Sequence, residues 1–80
     1  MRYRVLVRLK EGVLDVQGKA IENGLRDKSY EEVSNVRVGR MVELDVSDLS
    51  PSDAQAKVEA LCKELLANPV IEDYTISEVA

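Results

Sequence analysis

Fourteen consecutive residues, Val33 to Val46 (VSNVRVGRMVELDV), read as extended backbone in a chain of only 80 residues. At about 3.3 Å per residue such a strand spans roughly 46 Å. A compact globule of this length has a radius of gyration near ~12 Å, hence a diameter of around ~30 Å. The run therefore outreaches any compact fold that one copy could make. Two solutions are open. The chain can turn back at Gly39-Arg40 as a hairpin, with glycine at the first central position of a type II′ turn. Alternatively it bends at Gly39 and carries its second half into another subunit's sheet. Val38 and Arg40-Met41 are poor turn residues, and no Asn, Asp or Pro flanks the glycine. An isolated glycine in a strand more often marks a bulge or a close backbone approach. The bent strand is the expectation, with an obligate oligomer as its consequence.

One domain, residues 1–80, is the count such a length supports, and it lies near the lower limit for a self-sufficient core. With no Phe, no Trp and three Tyr, that core must be aliphatic. A second copy would relieve the shortage. The net charge of −4 is unevenly placed. Residues 1–42 hold nine basic and six acidic side chains, whereas residues 43–80 hold two basic and nine acidic. Complementarity between the two halves, within a chain or between subunits, is the expected use. The lone Cys62 excludes an internal disulfide framework and falls on a helical apolar stripe, where a buried hydrophobe is expected rather than a reactive thiol. No apolar run approaches the ~20 residues that span a bilayer. Met1 leads directly into a strand, leaving no room for a signal peptide, so the expected location is the cytoplasm.

Arg2 to Lys10 alternates cleanly. Tyr3, Val5, Val7 and Leu9 share one face, and Arg2, Arg4, Arg8 and Lys10 share the other with Leu6. After Glu11-Gly12, Asp15 offers an N-cap carboxylate for a helix to about Asp27. Its core-facing candidates are Val16, Ala20, Ile21, Gly24 and Leu25. Gly18 and Gly24 each weaken that helix by roughly 1 kcal/mol relative to Ala, which points to close packing or a partner's approach. Ser50-Pro51-Ser52-Asp53 is a strong helix start, with Ser as N-cap and Pro at the first helical position. This second helix is expected to run to about Ala67, burying Ala54, Val58, Leu61, Cys62, Leu65 and Leu66. Asn68-Pro69 ends it, and Val70 to Val79 is the last strand, with Val70, Tyr74 and Ile76 in phase. The order β-α-β-α-β predicts a two-layer α+β fold of ferredoxin-like type, an antiparallel sheet under two helices.

Equipment for chemistry is missing. There is no histidine, the commonest general base and metal ligand. The serines show no nucleophile-elbow pattern, and the four glycines match no phosphate-binding spacing. The adjacent acids Glu31-Glu32 and Glu72-Asp73 would point to opposite faces of a strand and make no dyad. No catalytic residue, cofactor site or metal site is expected. Nucleic acid is disfavoured too, since a base-stacking sheet needs exposed aromatics. Arg40 stands out, because it interrupts the apolar phase Val36, Val38, Val42, Leu44, Val46 beside a glycine. Either a bulge at Gly39 turns it to solvent, or it sits at a seam where it needs a carboxylate or carbonyl partner.

Three segments carry a resemblance: Leu9 to Gly18 (LKEGVLDVQG), Asn35 to Leu44 (NVRVGRMVEL) and Leu65 to Tyr74 (LLANPVIEDY). Together they resemble the PurS family, the small subunit of phosphoribosylformylglycinamidine synthase, over essentially the whole chain. Val16 stands where that family usually has proline, and Arg40 replaces the commoner lysine. The resemblance implies a subunit without an active site or cofactor of its own. It also implies a homo-dimer or tetramer, with the second helix and last strand exchanged between protomers. Its partners would be a PurL-type synthetase subunit and a PurQ-type glutaminase subunit, with neither nucleic acid nor membrane. The residues carried over as candidate interface are Asp15, Gln17, Gly18, Arg37, Gly39, Arg40, Asn68, Glu72, Asp73 and Tyr74. The alternatives are a ferredoxin-like regulatory module for a small molecule and a homo-oligomeric structural module. Against the former, no loop combines glycines with convergent polar groups.

Overall fold

The computed structural model describes residues 1–79. Its elements are β1 (Arg2–Leu9), α1 (Val16–Asp27), β2 (Gly39–Asp45), α2 (Pro51–Leu61), a single π-helical turn (Cys62–Leu66) and β3 (Glu72–Val79). The sheet order is β2-β1-β3, with both pairings antiparallel. β1 takes the centre because its alternation is the most regular: Tyr3, Val5 and Val7 are all buried on one face. On the other face Arg2 meets Asp45 at 3.0 Å and Arg4 meets Glu43 at 3.2 Å, joining the basic half to the acidic half across β1 and β2.

α2 lies on the apolar face. Ser50 caps it by accepting from the Asp53 N–H, and Pro51 occupies the first turn, as the sequence signals. The buried residues are Ala54, Val58, Cys62 and Ala67, at spacings of four, four and five. The last step is the π turn, in which the Ala67 N–H donates to the Cys62 carbonyl at 3.0 Å. A strict 3.6-residue period would bury Leu65; the extra residue in the turn rotates it outward instead, and it is 78% exposed. Leu61 and Leu66 are half-buried.

Cys62 is fully buried, as its place on the stripe requires. Burial, and then the nearby Glu59, push its thiol up. It should therefore label slowly with thiol reagents in the native protein and quickly in denaturant. Cys62→Ala should lower stability by about 1 kcal/mol, a modest core truncation, as read from the urea midpoint. Rapid native labelling would place the thiol on the wrong face of α2.

Only one helix covers the sheet. Three strands set about 4.8 Å apart put their outer axes roughly 10 Å apart, about the width of a single helix with its side chains. α2 fills that width, and the opposite face carries the charged residues Arg2, Arg4, Arg8, Glu43 and Asp45 around an exposed Leu6 and Met41. The β-α-β-α-β order, with a three-stranded antiparallel sheet and two helices, is the fold expected, and within it α1 stands off the sheet rather than beside α2. None of the core candidates of α1 is buried: Val16 is 71% exposed, Ala20, Ile21 and Gly24 are exposed, and Leu25 is half-buried. Its buried residues are Gly18 and Glu22. The chain is thus elongated, 51 × 28 × 14 Å with a radius of gyration of 16.1 Å. The two elements that the resemblance assigns to exchange between protomers, α2 and β3, are both seated on their own β1. The element without a seat is α1.

The long middle run is neither a hairpin nor one strand. β2 pairs with β1 without a skip, from Arg2↔Asp45 to Arg8↔Gly39, so its second half stays in its own sheet and no bulge occurs at Gly39. Its first half leaves the sheet. Asn35 adopts φ +57, the left-handed region that Asn tolerates better than most residues, and this ends the extended run. Residues 36–38 then lie against α1. The 51 Å length of the chain accommodates a run that no compact globule could.

Candidate interface site at one end of the sheet

Two side-chain clusters meet at the end of the sheet where β1 finishes and β2 begins. The first is built on Arg40. It keeps the inward phase of its strand, opposite Val7, and reaches past β1 to β3. Its guanidinium donates to both Glu72 oxygens, at 2.7 and 3.1 Å, and to the Leu66 carbonyl. Glu72 also accepts from the Asn68 N–H at 2.7 Å, while the Asn68 side chain accepts from the Val70 N–H at 3.0 Å. Arg40 therefore takes both a carboxylate and a carbonyl, the seam reading of the two left open by the sequence. It fixes the junction Asn68-Pro69-Val70 to β2.

The second cluster holds residues 36–38 to α1. Asp15 caps the helix by accepting from the Gly18 N–H at 2.8 Å, and its other oxygen accepts from the Val38 N–H at 2.6 Å. Glu22, one turn beyond Gly18, accepts from the Val36 N–H at 3.1 Å and pairs with Lys19 and Arg26. Alternate N–H groups of an extended segment point the same way, so two carboxylates on one helix face replace a neighbouring strand. Arg37 points oppositely. It donates to the carbonyls of Leu9, Lys10 and Val13 at 3.1–3.2 Å, gripping the turn between β1 and α1. That turn has the type II form, with the Val13 N–H donating to the Lys10 carbonyl and Gly12 at φ +86.

Of the ten candidate residues, Arg40, Glu72 and Asn68 form the first cluster and Asp15, Gly18 and Arg37 the second. Gly39 lies between them, against the Val7 carbonyl. Gln17 is exposed on the wall of a groove of about 490 Å³ between the two clusters. Asp73 and Tyr74 are not brought together: Asp73 is exposed opposite Arg8, and Tyr74 is half-buried opposite Val7 on the core face. Glu22 was missed by the sequence reading. Its spacing from Asp15 and Gly18, seven and four residues, places it on their helix face and was the available signal.

The family model for PurS, phosphoribosylformylglycinamidine (FGAM) synthase, matches residues 2–80. The chain belongs to the PurS family. It is 45% identical to subunit PurS of FGAM synthase from Bacillus subtilis, over 91% of this chain and 86% of the relative. The PurS relative from Methanocaldococcus jannaschii is 36% identical over 90% of this chain and 87% of its own. Among solved structures, a chain of PurLQS from Thermotoga maritima superposes with a TM-score of 0.89 at 32% identity, covering 98% of this chain and 95% of that one. Bacillus subtilis PurS superposes at 0.84 with 43% identity, covering 95% and 94%.

The carboxylates of this PurS-family fold make its stability pH-dependent. Glu72 is held below the usual carboxylate range by Arg40 first and the Asn68 N–H second, against some desolvation. Asp15 is held low by the Val38 N–H and then the Gly18 N–H, and Glu22 chiefly by the Val36 N–H. A carboxylate whose value is lower folded than unfolded stabilises above the unfolded value, about 4. That contribution is lost as pH falls through the folded value. Urea unfolding between pH 6 and pH 2 should therefore show stability falling once pH drops below about 4.5. Glu72→Gln should flatten the slope, and an unchanged slope would mean that Arg40 and Glu72 are not paired in solution.

Proposed function

We propose that the chain is the non-catalytic small subunit of an FGAM synthase complex, joining a PurL-type synthetase subunit to a PurQ-type glutaminase subunit. The observation that carries this reading is likeness over nearly the whole chain to a chain of the Thermotoga PurLQS structure. In the reaction, glutamine-derived ammonia, ATP and formylglycinamide ribonucleotide give formylglycinamidine ribonucleotide, an ATP-dependent C–N ligation of purine biosynthesis in the cytoplasm. Nucleotide binding and both active sites belong to the larger subunits. The absence of histidine, of a nucleophile elbow and of a phosphate-binding loop supports that assignment, as does a site made of structural hydrogen bonds. No cofactor is held by this subunit.

It works as a homo-dimer or tetramer. Supporting this, Leu14, Val16 and Ile21 on the α1 side and Leu6 and Met41 on the outer sheet face are exposed apolar side chains available to a second copy. The ten candidate residues serve assembly. The Arg40 and Arg37 clusters set the shape of the sheet end that would meet a larger subunit.

Reconstitution tests the reading. The chain alone should hydrolyse neither ATP nor glutamine. Added to the synthetase and glutaminase subunits of the same organism, it should raise glutamine-dependent synthesis well above what those two achieve, with all three co-migrating on gel filtration. Turnover by the isolated chain, or an unchanged rate on adding it, overturns the proposal.

A further inference from the structure

We infer that two copies of the chain exchange α1 and residues 36–38, so that each sheet gains a fourth strand beside β2 and a second helix beside α2. This exchange presupposes the homo-oligomer proposed above and supplies its interface. Topology comes first. With residues 36–38 taken as a strand, the element order becomes β-α-β-β-α-β, that of a ferredoxin-like sheet. Within one chain, that order needs a hairpin between its two middle strands. Here the backbone runs straight on instead. β2 pairs with β1 down to Gly39 without a skip, and residues 36–38 leave the sheet in the same run. They cannot lie beside their own β2. They can lie beside that of a second copy, because a two-fold axis normal to the sheet sets such neighbours antiparallel.

Both halves of the fit are open in a single copy. The sheet order β2-β1-β3 leaves the outer edge of β2 without a neighbour among the described residues. Such a row of free N–H and C=O groups is a template for a strand from another chain. Residues 36–38 turn the Val36 and Val38 N–H groups onto Glu22 and Asp15. The Arg37 N–H and carbonyl therefore point the other way, where no backbone group meets them among the described residues. One edge of the segment is closed by its own helix. The other is free to pair.

The helix has a matching seat. On α1, Ile21 and Leu25 form an apolar strip next to the face that carries Gly18 and Glu22. On the sheet, Val42 and Leu44 of β2 and the neighbouring Val46 are only partly buried under α2. A fourth strand widens the sheet from roughly 10 to about 15 Å between outer axes, which makes room for a second helix. Gly24 lies about 80° around the helix from the middle of the strip and stays outside the contact. Charge agrees with this placement. Continuing the alternation of β2, Arg37 shares the row of Met41, Glu43 and Asp45, so an antiparallel neighbour brings it along the acidic row of the second copy. Val36 and Val38 then extend the apolar face of that copy's sheet.

Isotope-filtered nuclear Overhauser spectra test the exchange, on oligomer refolded from equal amounts of labelled and unlabelled chain. Methyl contacts of Ile21 and Leu25 with Val42 and Leu44 should appear between copies. An oligomer whose contacts between copies lie elsewhere overturns the exchange and leaves the homo-oligomer standing. A folded monomer by sedimentation at micromolar concentration overturns both. A variant gives a second reading. Inserting Asn-Gly after Val38 makes, with Gly39, a three-residue turn that lets residues 36–38 fold back onto their own β2. That variant should associate at least about 100-fold more weakly than the unaltered chain, yet remain folded. Association as tight as that of the unaltered chain overturns the exchange. Should the insertion prevent folding, the filtered spectra of the unaltered chain decide alone.

Discussion

Gly39→Val is expected to destabilise the protein by about 3 kcal/mol, the range of a substitution that forces backbone apart. The φ of Gly39 is not in the left-handed region, where among the glycines only Gly12 lies. The effect is steric. A Cβ at Gly39 would overlap the Val7 carbonyl oxygen and come within 3.2 Å of the Arg8 Cβ. Val7 belongs to the central strand and cannot withdraw without disturbing its pairing with Tyr74 on the other side. Relief must come from opening the β1–β2 ladder at the end where Arg40 reaches across to Glu72. The β-propensity of valine, worth at most about 1 kcal/mol, is too small to reverse this. Since the first carbon beyond Cα makes the collision, Gly39→Ala should show most of the loss. Sedimentation and circular dichroism over a dilution series should find the valine variant unfolded rather than folded and monomeric. An unchanged urea midpoint, or a stable folded monomer at micromolar concentration, would show that β1 and β2 do not approach this closely.

What could be read from the sequence was what local chemistry decides. Asp15 and Ser50-Pro51 mark helix starts because a cap needs only the residues beside it, and both caps form. β1 was legible because strict alternation has one structural meaning. The misreadings share a different cause. Periodicity says which face of α1 is apolar, not what covers it, and the width of a three-stranded sheet already taken by α2 leaves that face without a seat. The run from Val33 looked continuous because an Asn in the left-handed region is indistinguishable in sequence from an Asn in a strand. Leu65 was assigned to the core on a 3.6-residue period that the π turn breaks. The candidate site divided similarly. Arg40 announced itself by interrupting an apolar phase, yet its partner Glu72 is 32 residues away and no local rule names it. The grip of Glu22 on Val36 spans 14 residues and was hidden for that reason.

Two glycines on one helix should respond to alanine in opposite directions. In a solvent-exposed helix, Gly→Ala gains about 1 kcal/mol from the lower backbone entropy of alanine. Gly24 meets that condition, with nothing within 4 Å of an added Cβ. Gly18 does not. A Cβ there would overlap the Val36 carbonyl oxygen and stand 2.9 Å from an Asp15 oxygen. Neither neighbour can step aside cheaply. Asp15 is held by the Gly18 and Val38 N–H groups at 2.8 and 2.6 Å, and Val36 is held by Glu22 at 3.1 Å. Moving Asp15 gives up the helix cap and the Val38 bond together. The clash should outweigh the propensity gain, for a net loss of about 2 kcal/mol in the closure of residues 36–38 onto α1. By the rule of about 1.4 kcal/mol per tenfold, Gly18→Ala should lower hydrogen-exchange protection in α1 roughly 30-fold. Gly24→Ala should raise it several-fold. If Gly18→Ala instead protects α1 as much as Gly24→Ala does, the extended segment does not lie against the helix in solution. A loss of protection in Gly24→Ala would mean that another chain packs on that open face.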